Sequence, residues 1–402
     1  MKIGLFTDTY YPQINGVATS VLMLKENLER LGHQVYVFTT TDPKAAEKET
    51  NIYRVPSISF VSERRVGMFY NHKLAKLIRG LGLDLIHTHT EFSLGIFGRE
   101  MAKKLNIPFL HTYHTIYEDY THYIVKFAAL ESIAKMAARK ISINFCNSAD
   151  EVIVPTGKVR DLLLSYGVKQ NISVMPTGIE LDKFSKYNYD SDTIQNLRTD
   201  LGIEAEDKCL LYVGRISKEK NIEEILMNMK SYLKHKENVK FVLIGAGPEK
   251  STLEDMAKKL GIQRQTIFAG ERPWDEIGMY YQIGDVFISA SQSETQGLTY
   301  IEALASGLPV VAKADRCLEG VVQNNVNGYT FQDREEFLQS LDSILYNDLL
   351  KERLSLGAIK STKKFSVQKF AHTVEILYKN MLLDKKDYES LLYRNMAALK
   401  LH

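Results

Sequence analysis

The sequence predicts an α/β protein with two doubly wound, parallel-sheet domains facing a ligand cleft. Three observations carry that expectation. Short apolar runs alternate with segments of helical period along both halves of the chain, the pattern of parallel strands joined by helices. The alternation restarts after the segment MPTGIELDKF. The length, 402 residues, exceeds what one hydrophobic core ordinarily organises.

Each element follows from its local pattern. Lys2–Thr7 is a short apolar run ending at Asp8, followed by the glycine-containing loop YYPQINGVATS. Helical spacing runs from about Val21 to Leu31 and stops at Gly32. Gln34–Thr39, Leu83–His87, Pro108–Thr112, Glu151–Val154 and Ile172–Met175 read as further strands, with helices at Lys73–Leu81 and Val125–Lys140. In the second half the strands are Cys209–Val213, Val239–Ile244, Thr266–Phe268, Asp285–Ser289 and Pro309–Ala312. Helices at Asn221–Leu233 and Lys250–Leu260 separate them. The boundary falls near Pro176–Lys183, and Lys186–Thr193 reads as polar surface. The expected division is a domain at 1–180, a domain at 181–375 and a helical segment at 376–402 that packs back on the first. Ligands of doubly wound sheets sit beyond the carboxyl ends of strands, so the residues just after each strand are the ones that matter.

Composition narrows the function classes. The chain is 45% hydrophobic and 25% charged, ordinary for a globular protein. A formal net charge of +2 gives no signal for nucleic acid. Cys146, Cys209 and Cys317 are few, odd in number and far apart, which fits a reducing compartment rather than a disulfide framework. The N-terminus MKIGLFTDTYYP is not a signal peptide, because Asp8 and Pro12 interrupt its short apolar stretch. No run approaches the roughly 18 apolar residues of a spanning helix, so membrane contact is expected to be peripheral.

The densest chemical signal is SQSETQGLTYIEALASGLPVVA. Glu294 and Glu302 bracket Gln296, Gly297, Leu298 and Thr299, which should open a helix. Free N–H groups and the dipole at such a helix start suit a phosphate, and Gly297 permits close approach of a ligand. Glu302, about one turn inside, is placed to reach a ribose hydroxyl, and Glu294 to bond sugar hydroxyls. The segment LLYVGRISKEKNIEEIL puts Arg215 and Lys220 just beyond a strand end. That cationic pair suits a diphosphate and the charge it gains on leaving. A helical Glu or a basic turn taken singly is ordinary surface. FVLIGAGPEKS invites a dinucleotide reading, but Lys250 stands at the third glycine position. That loop is expected to shape a nucleotide pocket near the base instead.

These segments together resemble glycosyltransferase family four, the retaining enzymes of the GT-B fold. VGRISKEKN matches the family's Gly-Arg…Lys…Asn turn, and SETQGLTYIEALASGLPVVA its Glu-x7-Glu region. MPTGIELDKF matches the interdomain segment and DTYYPQINGVATSV the first loop. The resemblance implies that Arg215 and Lys220 hold the donor diphosphate, Glu302 the ribose and Glu294 the transferred sugar. The Gln296–Thr299 backbone would line the phosphate and sugar pocket, and Gly16 would sit under the diphosphate from the other domain. One position departs: Gln296 stands where many members carry an aromatic, a variant associated with the glycolipid-making branch.

Most of the ten histidines lie in the first half. FLHTYHTIYEDYTHYIVKF carries His111, His114 and His122, and LIHTHTEF carries His87 and His89. The spacings admit a zinc site, but no cysteine is near in sequence and no His-Glu-x-x-His helix exists; no metal is expected. Histidines packed at strand ends are the plain alternative. His114 matches a histidine that related lipid-acceptor transferases place beside the reacting sugar, which implies a positioning or proton-handling role. Retention needs no enzymic nucleophile if leaving group and acceptor share one face of the sugar and the departing phosphate oxygen takes the acceptor proton.

Two stretches bear on membranes. One sets Arg64, Arg65, Lys73 and Lys76 among apolar side chains, and the other puts Lys135 and Arg139 on one face of a helix opposite Phe127, Leu130, Ala134 and Ala137. Basic amphipathic surface of this kind fits anionic headgroups; a buried helix with a solvated rim gives the same pattern. The resemblance to bacterial diacylglycerol glucosyltransferases implies UDP-glucose as donor, diacylglycerol as acceptor and the cytoplasmic membrane face as location. The product would be a membrane glycolipid and lipoteichoic-acid anchor precursor. Alternatives that the residues leave open are a soluble or polyprenyl acceptor, a UDP-sugar epimerase of the same fold, and a non-catalytic sugar-binding module.

Overall fold

The computed structural model describes residues 1–13, 15–46, 49–59, 65–67, 72–118 and 128–399. The chain forms two compact units, Met1–Gly178 with Val367–His402, and Ile179–Ser366.

In the first unit the strands are β1 (Lys2–Phe6), β2 (Gln34–Thr40), β3 (Ile52–Val55), β4 (Ser57–Ser59), β5 (Arg65–Gly67), β6 (Leu85–Thr88), β7 (Phe109–Thr112), β8 (Glu151–Val154) and β9 (Ile172–Val174). Helices α1 (Gly16–Arg30), α2 (His72–Leu81), α3 (Ser93–Leu105), α4 (Ala128–Cys146) and α5 (Gly157–Tyr166) connect them. The main sheet runs β3-β2-β1-β6-β7-β8-β9 with parallel pairings, and β4 and β5 make a separate antiparallel pair. Alternate residues of a strand face opposite sides. Phe6 and Ile86 therefore join one buried cluster, while Ile3, Leu5 and Leu85 join another. Both faces are covered, which is why these strands read as unbroken apolar runs.

Local chemistry fixes the helix starts. Asn15 caps α1 by accepting from the Ala18 N–H at 2.9 Å, so the helix begins five residues before the sequence periodicity suggests. No side chain of its own segment caps α3. Asp8, at the end of β1, does so instead, accepting from Thr90 Oγ1 (2.6 Å), Ser93 Oγ and the Leu94 N–H. Burial raises the Asp8 pKa and these bonds oppose the rise.

The second unit contributes α6 (Ser191–Asp200), β10 (Lys208–Val213), α7 (Ile222–His235), β11 (Val239–Ile244), α8 (Lys250–Leu260), β12 (Thr266–Gly270), α9 (Ile277–Tyr281), β13 (Val286–Ser289), α10 (Leu298–Ala305), β14 (Val310–Lys313), β15 (Gly328–Phe331), α11 (Arg334–Leu345) and α12 (Asp348–Thr362). Its sheet runs β12-β11-β10-β13-β14-β15, again parallel. Leu211 and Val213 face one core, Leu210 and Tyr212 the other.

The last helix, α13 (Val367–Leu399), returns to the first unit. This corrects the expected boundary at residue 375. The first turns of α13 already carry Phe370, Ala371, Val374 and Tyr378 into the cluster built on Leu5, Val35 and Leu110. With Val21, Leu24 and Leu28 of α1 these residues cover that face of the first sheet, so the start of α13 belongs there. His33 Nε2 lies 2.9 Å from Glu375 Oε1 and ties it down. The three cysteines are buried and form no disulfide with one another.

Candidate functional site

The second sheet reverses its strand order between β10 and β13. At such a switch point the loops beyond the two strands diverge and leave a crevice. The β10 loop carries Gly214, Arg215 and Lys220, and the β13 loop carries Ser291 to Thr299. Lys220 Nζ and Glu294 Oε1 meet at 2.5 Å across 74 positions of sequence. Ser291 Oγ donates to the same carboxylate oxygen at 2.8 Å. Both charged side chains are 17% exposed. Arg215 is exposed in the same turn, its carbonyl held by the Tyr212 hydroxyl at 2.9 Å. Asn221 caps α7 with positive φ (53°) and bonds Glu224, which also takes Lys313 at 2.7 Å. The turn carrying Lys220 is thereby pinned.

Gly297 caps α10 with φ of 72°, and no side chain caps the helix start. A Cβ at Gly297 would lie 2.3 Å from the Tyr300 ring, so only glycine fits. Leu298 and Thr299 form the first turn, and Gln296 is buried behind it. Glu302 is 4% exposed and accepts from the Tyr281 hydroxyl at 2.7 Å. Burial pushes its carboxyl up to about 7, against the pull of Tyr281 and the Lys183 ammonium. Lys183 lies over the Trp274 ring, 4.0 Å from its centroid. Tyr281, Lys183 and Ser291 are further site residues: Lys183 lies in MPTGIELDKF and Ser291 opens SQSETQGLTY without a spacing that marks either, and Tyr281 lies outside every motif.

The Gly245-Ala246-Gly247 loop has a packing role. A Cβ on Gly245 would lie 1.9 Å from the Gly214 carbonyl, and one on Gly247 2.1 Å from that of Ile216. The Ile216 N–H donates to the Ala246 carbonyl at 2.9 Å. Backbone thus meets backbone beneath Arg215, and the glycines allow it.

In the first unit the order reverses between β1 and β6. His87 is bonded at both nitrogens, Nδ1 to Tyr378 Oη at 2.6 Å and Nε2 to Thr112 Oγ1 at 2.7 Å. His111 bridges Thr88 Oγ1 (2.9 Å) and Glu91 Oε1 (3.1 Å). The Tyr117 hydroxyl donates to the other oxygen of Glu91. His89 Nδ1 lies 3.0 Å from His114 Nε2. Burial holds His87 and His89 well below the usual imidazole range and His114 at about 3. These rings are therefore neutral at physiological pH. Among the described residues no group of three His, Cys, Asp or Glu side chains could hold a metal ion. Gly16, exposed, is the first residue of α1.

The basic stretches are partly visible. Lys73 and Lys76 are exposed on α2, whose Leu74, Ala75 and Ile78 are buried. Arg64, His122 and Phe127 lie outside the described residues, as does the side chain of Arg65. On α4 the expected faces need correction. Ala137 is exposed, and so are the apolar Ile133 (58%), Met136 (64%) and Ile141 (49%), beside exposed Lys135, Arg139 and Lys140. The inward side is made by Ser142, Phe145 and Cys146. Lys135 pairs with Glu131 at 2.8 Å, and Arg139 with Glu118 at 2.9 Å. Among the described residues no helix is long and apolar enough to cross a membrane.

Comparison with known proteins places this geometry. Residues 14–183 match the family described as Glycosyltransferase Family 4, and residues 193–361 that described as Glycosyl transferases group 1. The chain is 45% identical over 332 residues to the alpha-monoglucosyldiacylglycerol synthase of Streptococcus pneumoniae, covering 82% of this chain and 74% of that protein. It is 37% identical over 393 residues to the enzyme of the same name from Acholeplasma laidlawii, covering 96% and 98%. Among solved structures, an Anabaena protein, HepE, in complex with UDP and glucose superposes with a TM-score of 0.76 at 17% identity, over 94% of this chain and 100% of that one. Sucrose-phosphate synthase from Thermosynechococcus elongatus does so at 0.74 and 21%, over 96% and 100%. Two parallel-sheet units of GT-B type, a lysine–glutamate pair at the second switch point and these relatives agree: the chain belongs to glycosyltransferase family 4.

Proposed function

We propose that the protein moves glucose from UDP-glucose to the 3-hydroxyl of 1,2-diacylglycerol with retention, giving α-monoglucosyldiacylglycerol. The observation that carries this reading is its 45% and 37% identity to two alpha-monoglucosyldiacylglycerol synthases. The motif residues supply the chemistry. Arg215, Lys220 and the uncapped start of α10 receive the diphosphate, with Gly297, Leu298 and Thr299 offering backbone. Glu294 holds the sugar hydroxyls and Glu302 the ribose, while Gln296 backs the pocket. The bond from the sugar's anomeric carbon to the diphosphate breaks, and the acceptor oxygen bonds that carbon on the same face. The acceptor proton passes to the departing phosphate oxygen, and UDP leaves. The cations do the work of a divalent ion, so turnover should persist in excess chelator.

The acceptor's lipid character favours docking at an anionic membrane surface, on the cytoplasmic side. Exposed Ile133, Met136 and Ile141 beside Lys135, Arg139 and Lys140 support that reading, as do Lys73 and Lys76. The residues Arg64 and Arg65 belong to the same basic stretch. The test supplies UDP-glucose, UDP-galactose and GDP-mannose separately, with diacylglycerol in anionic vesicles, and identifies the lipid product. A glucosylated lipid from UDP-glucose is expected. UDP release without a lipid product, or transfer to a soluble sugar instead, would overturn the proposal.

A further inference from the structure

The histidines at the ends of β6 and β7 form a wired array. His89 is 2% exposed and sits between two rings, with centroids 4.1 Å from His87 and 5.3 Å from His114. Its Nδ1 contacts His114 Nε2, and its own Nε2 is buried with no hydrogen-bond partner among the described residues. His87 cannot turn aside, because Tyr378 and Thr112 hold both its nitrogens.

One proton lies in the His89–His114 bond, and its owner can be deduced. If His114 donated from Nε2, His89 would accept at Nδ1 and carry its proton on Nε2. That would bury an N–H with no acceptor, the rarer and costlier orphan. If His89 donates from Nδ1, its Nε2 is a bare lone pair, and His114 keeps its proton on Nδ1. The second arrangement is the one that the burial supports. The Glu91 carboxylate of this region is taken by His111 and Tyr117.

We propose that His89 is a positioning residue for the transfer, donating its Nδ1–H to His114 Nε2 and so presenting His114 as a neutral donor through Nδ1–H. This rests on the proposed role of His114 at the sugar, and it decides between two forms of that role. With Nε2 occupied, His114 does not accept the proton of the incoming hydroxyl; it donates a hydrogen bond to an oxygen of the bound substrate. The low basicity of all three rings, caused first by burial, agrees with a neutral array.

The test uses the full chain with ¹⁵N-labelled histidine. Tautomers of His114 are read from the two ring nitrogens by NMR, assigned with His114→Gln. The expected signature is Nδ1–H in the wild type. His89→Asn keeps a donor at the Nδ1 position and should hold kcat within about threefold. His89→Leu removes it and should lower kcat by about tenfold, with little change in KM for the donor, on the scale of one lost hydrogen bond. An Nε2–H tautomer at His114 in the wild type would overturn the inference. So would equal losses in the Asn and Leu variants, or unchanged kcat in a folded His89→Leu protein. The tautomer is read without turnover, so failure to glucosylate diacylglycerol would sink the proposed function and leave this assignment standing.

Discussion

Lys220 and Glu294 illustrate how much chemistry one contact concentrates. In the free site each neutralises the other at 2.5 Å. In the proposed reaction a diphosphate arriving at the turn would compete for the ammonium and release the carboxylate for sugar hydroxyls. Lys220→Ala should therefore lower kcat/KM by about a hundredfold or more, the scale of losing one preorganised charge stabiliser, while the thermal midpoint stays within a few degrees. Near-normal turnover would remove its role. Glu302 carries a second expectation. Its folded-state pKa of about 7 exceeds the ordinary 4.5, so the folded protein retains a proton that the unfolded chain has released. Stability then falls as pH rises from 4.5 to about 7. Glu302→Gln should flatten that slope and stabilise the protein at pH 8 by about 2 kcal/mol, measured by urea unfolding across pH, while weakening UDP binding. These residues were legible in the sequence because the motif is local. Their wiring was not: the Lys220–Glu294 contact joins loops 74 positions apart, and the bond from Tyr281 to Glu302 leaves no spacing signature.

At the level of elements, strands buried on both faces were legible because their apolar runs are continuous, as in Cys209–Val213 and Val239–Ile244. The short strands β3 and β15, with only partial burial, gave weaker patterns. Helix faces were harder. On α4 the spacing sets Phe127, Leu130, Ala134 and Ala137 opposite Lys135 and Arg139 without deciding between lipid and core, whereas Ile133 and Met136 are the ones exposed; period alone cannot say which of two apolar stripes meets the sheet. That exposure yields a test. Ile133→Asp with Met136→Asp should weaken binding to anionic vesicles by about tenfold or more, judged from roughly 1.5–3 kcal/mol for each fully buried side chain. Lys73→Glu with Lys76→Glu should weaken it in a salt-sensitive way, at about 1 kcal/mol per basic residue. Flotation assays at two ionic strengths separate the effects; unchanged binding in both would place lipid contact elsewhere. The start of α10 is equally exacting. Gly297→Ala sets a Cβ against Tyr300 in a left-handed conformation, and UDP affinity by calorimetry should drop several-fold with the fold intact.

For the whole molecule, the decisive feature is that the first unit is discontinuous in sequence. Phe370, Val374 and Tyr378 complete a core begun by Ile3 and Leu5. A chain cut after Ser366 should lose that core while residues 179–366 keep theirs. Limited proteolysis should digest the first 178 residues rapidly and spare the second unit; equal resistance would mean that α13 is dispensable. The expected division gave the first unit only residues 376–402 of this end, whereas α13 belongs to it from Val367 onward.

That arrangement has a consequence for biogenesis. The strands of the first unit leave the ribosome before the second unit does, yet α13 follows only after it. At about 5–20 residues per second, the intervening unit takes on the order of ten to forty seconds to emerge. Throughout that interval the nascent β1, β2 and β6 surface has only α1 over its apolar side and lacks the second half of its cover, a natural client for a holding chaperone.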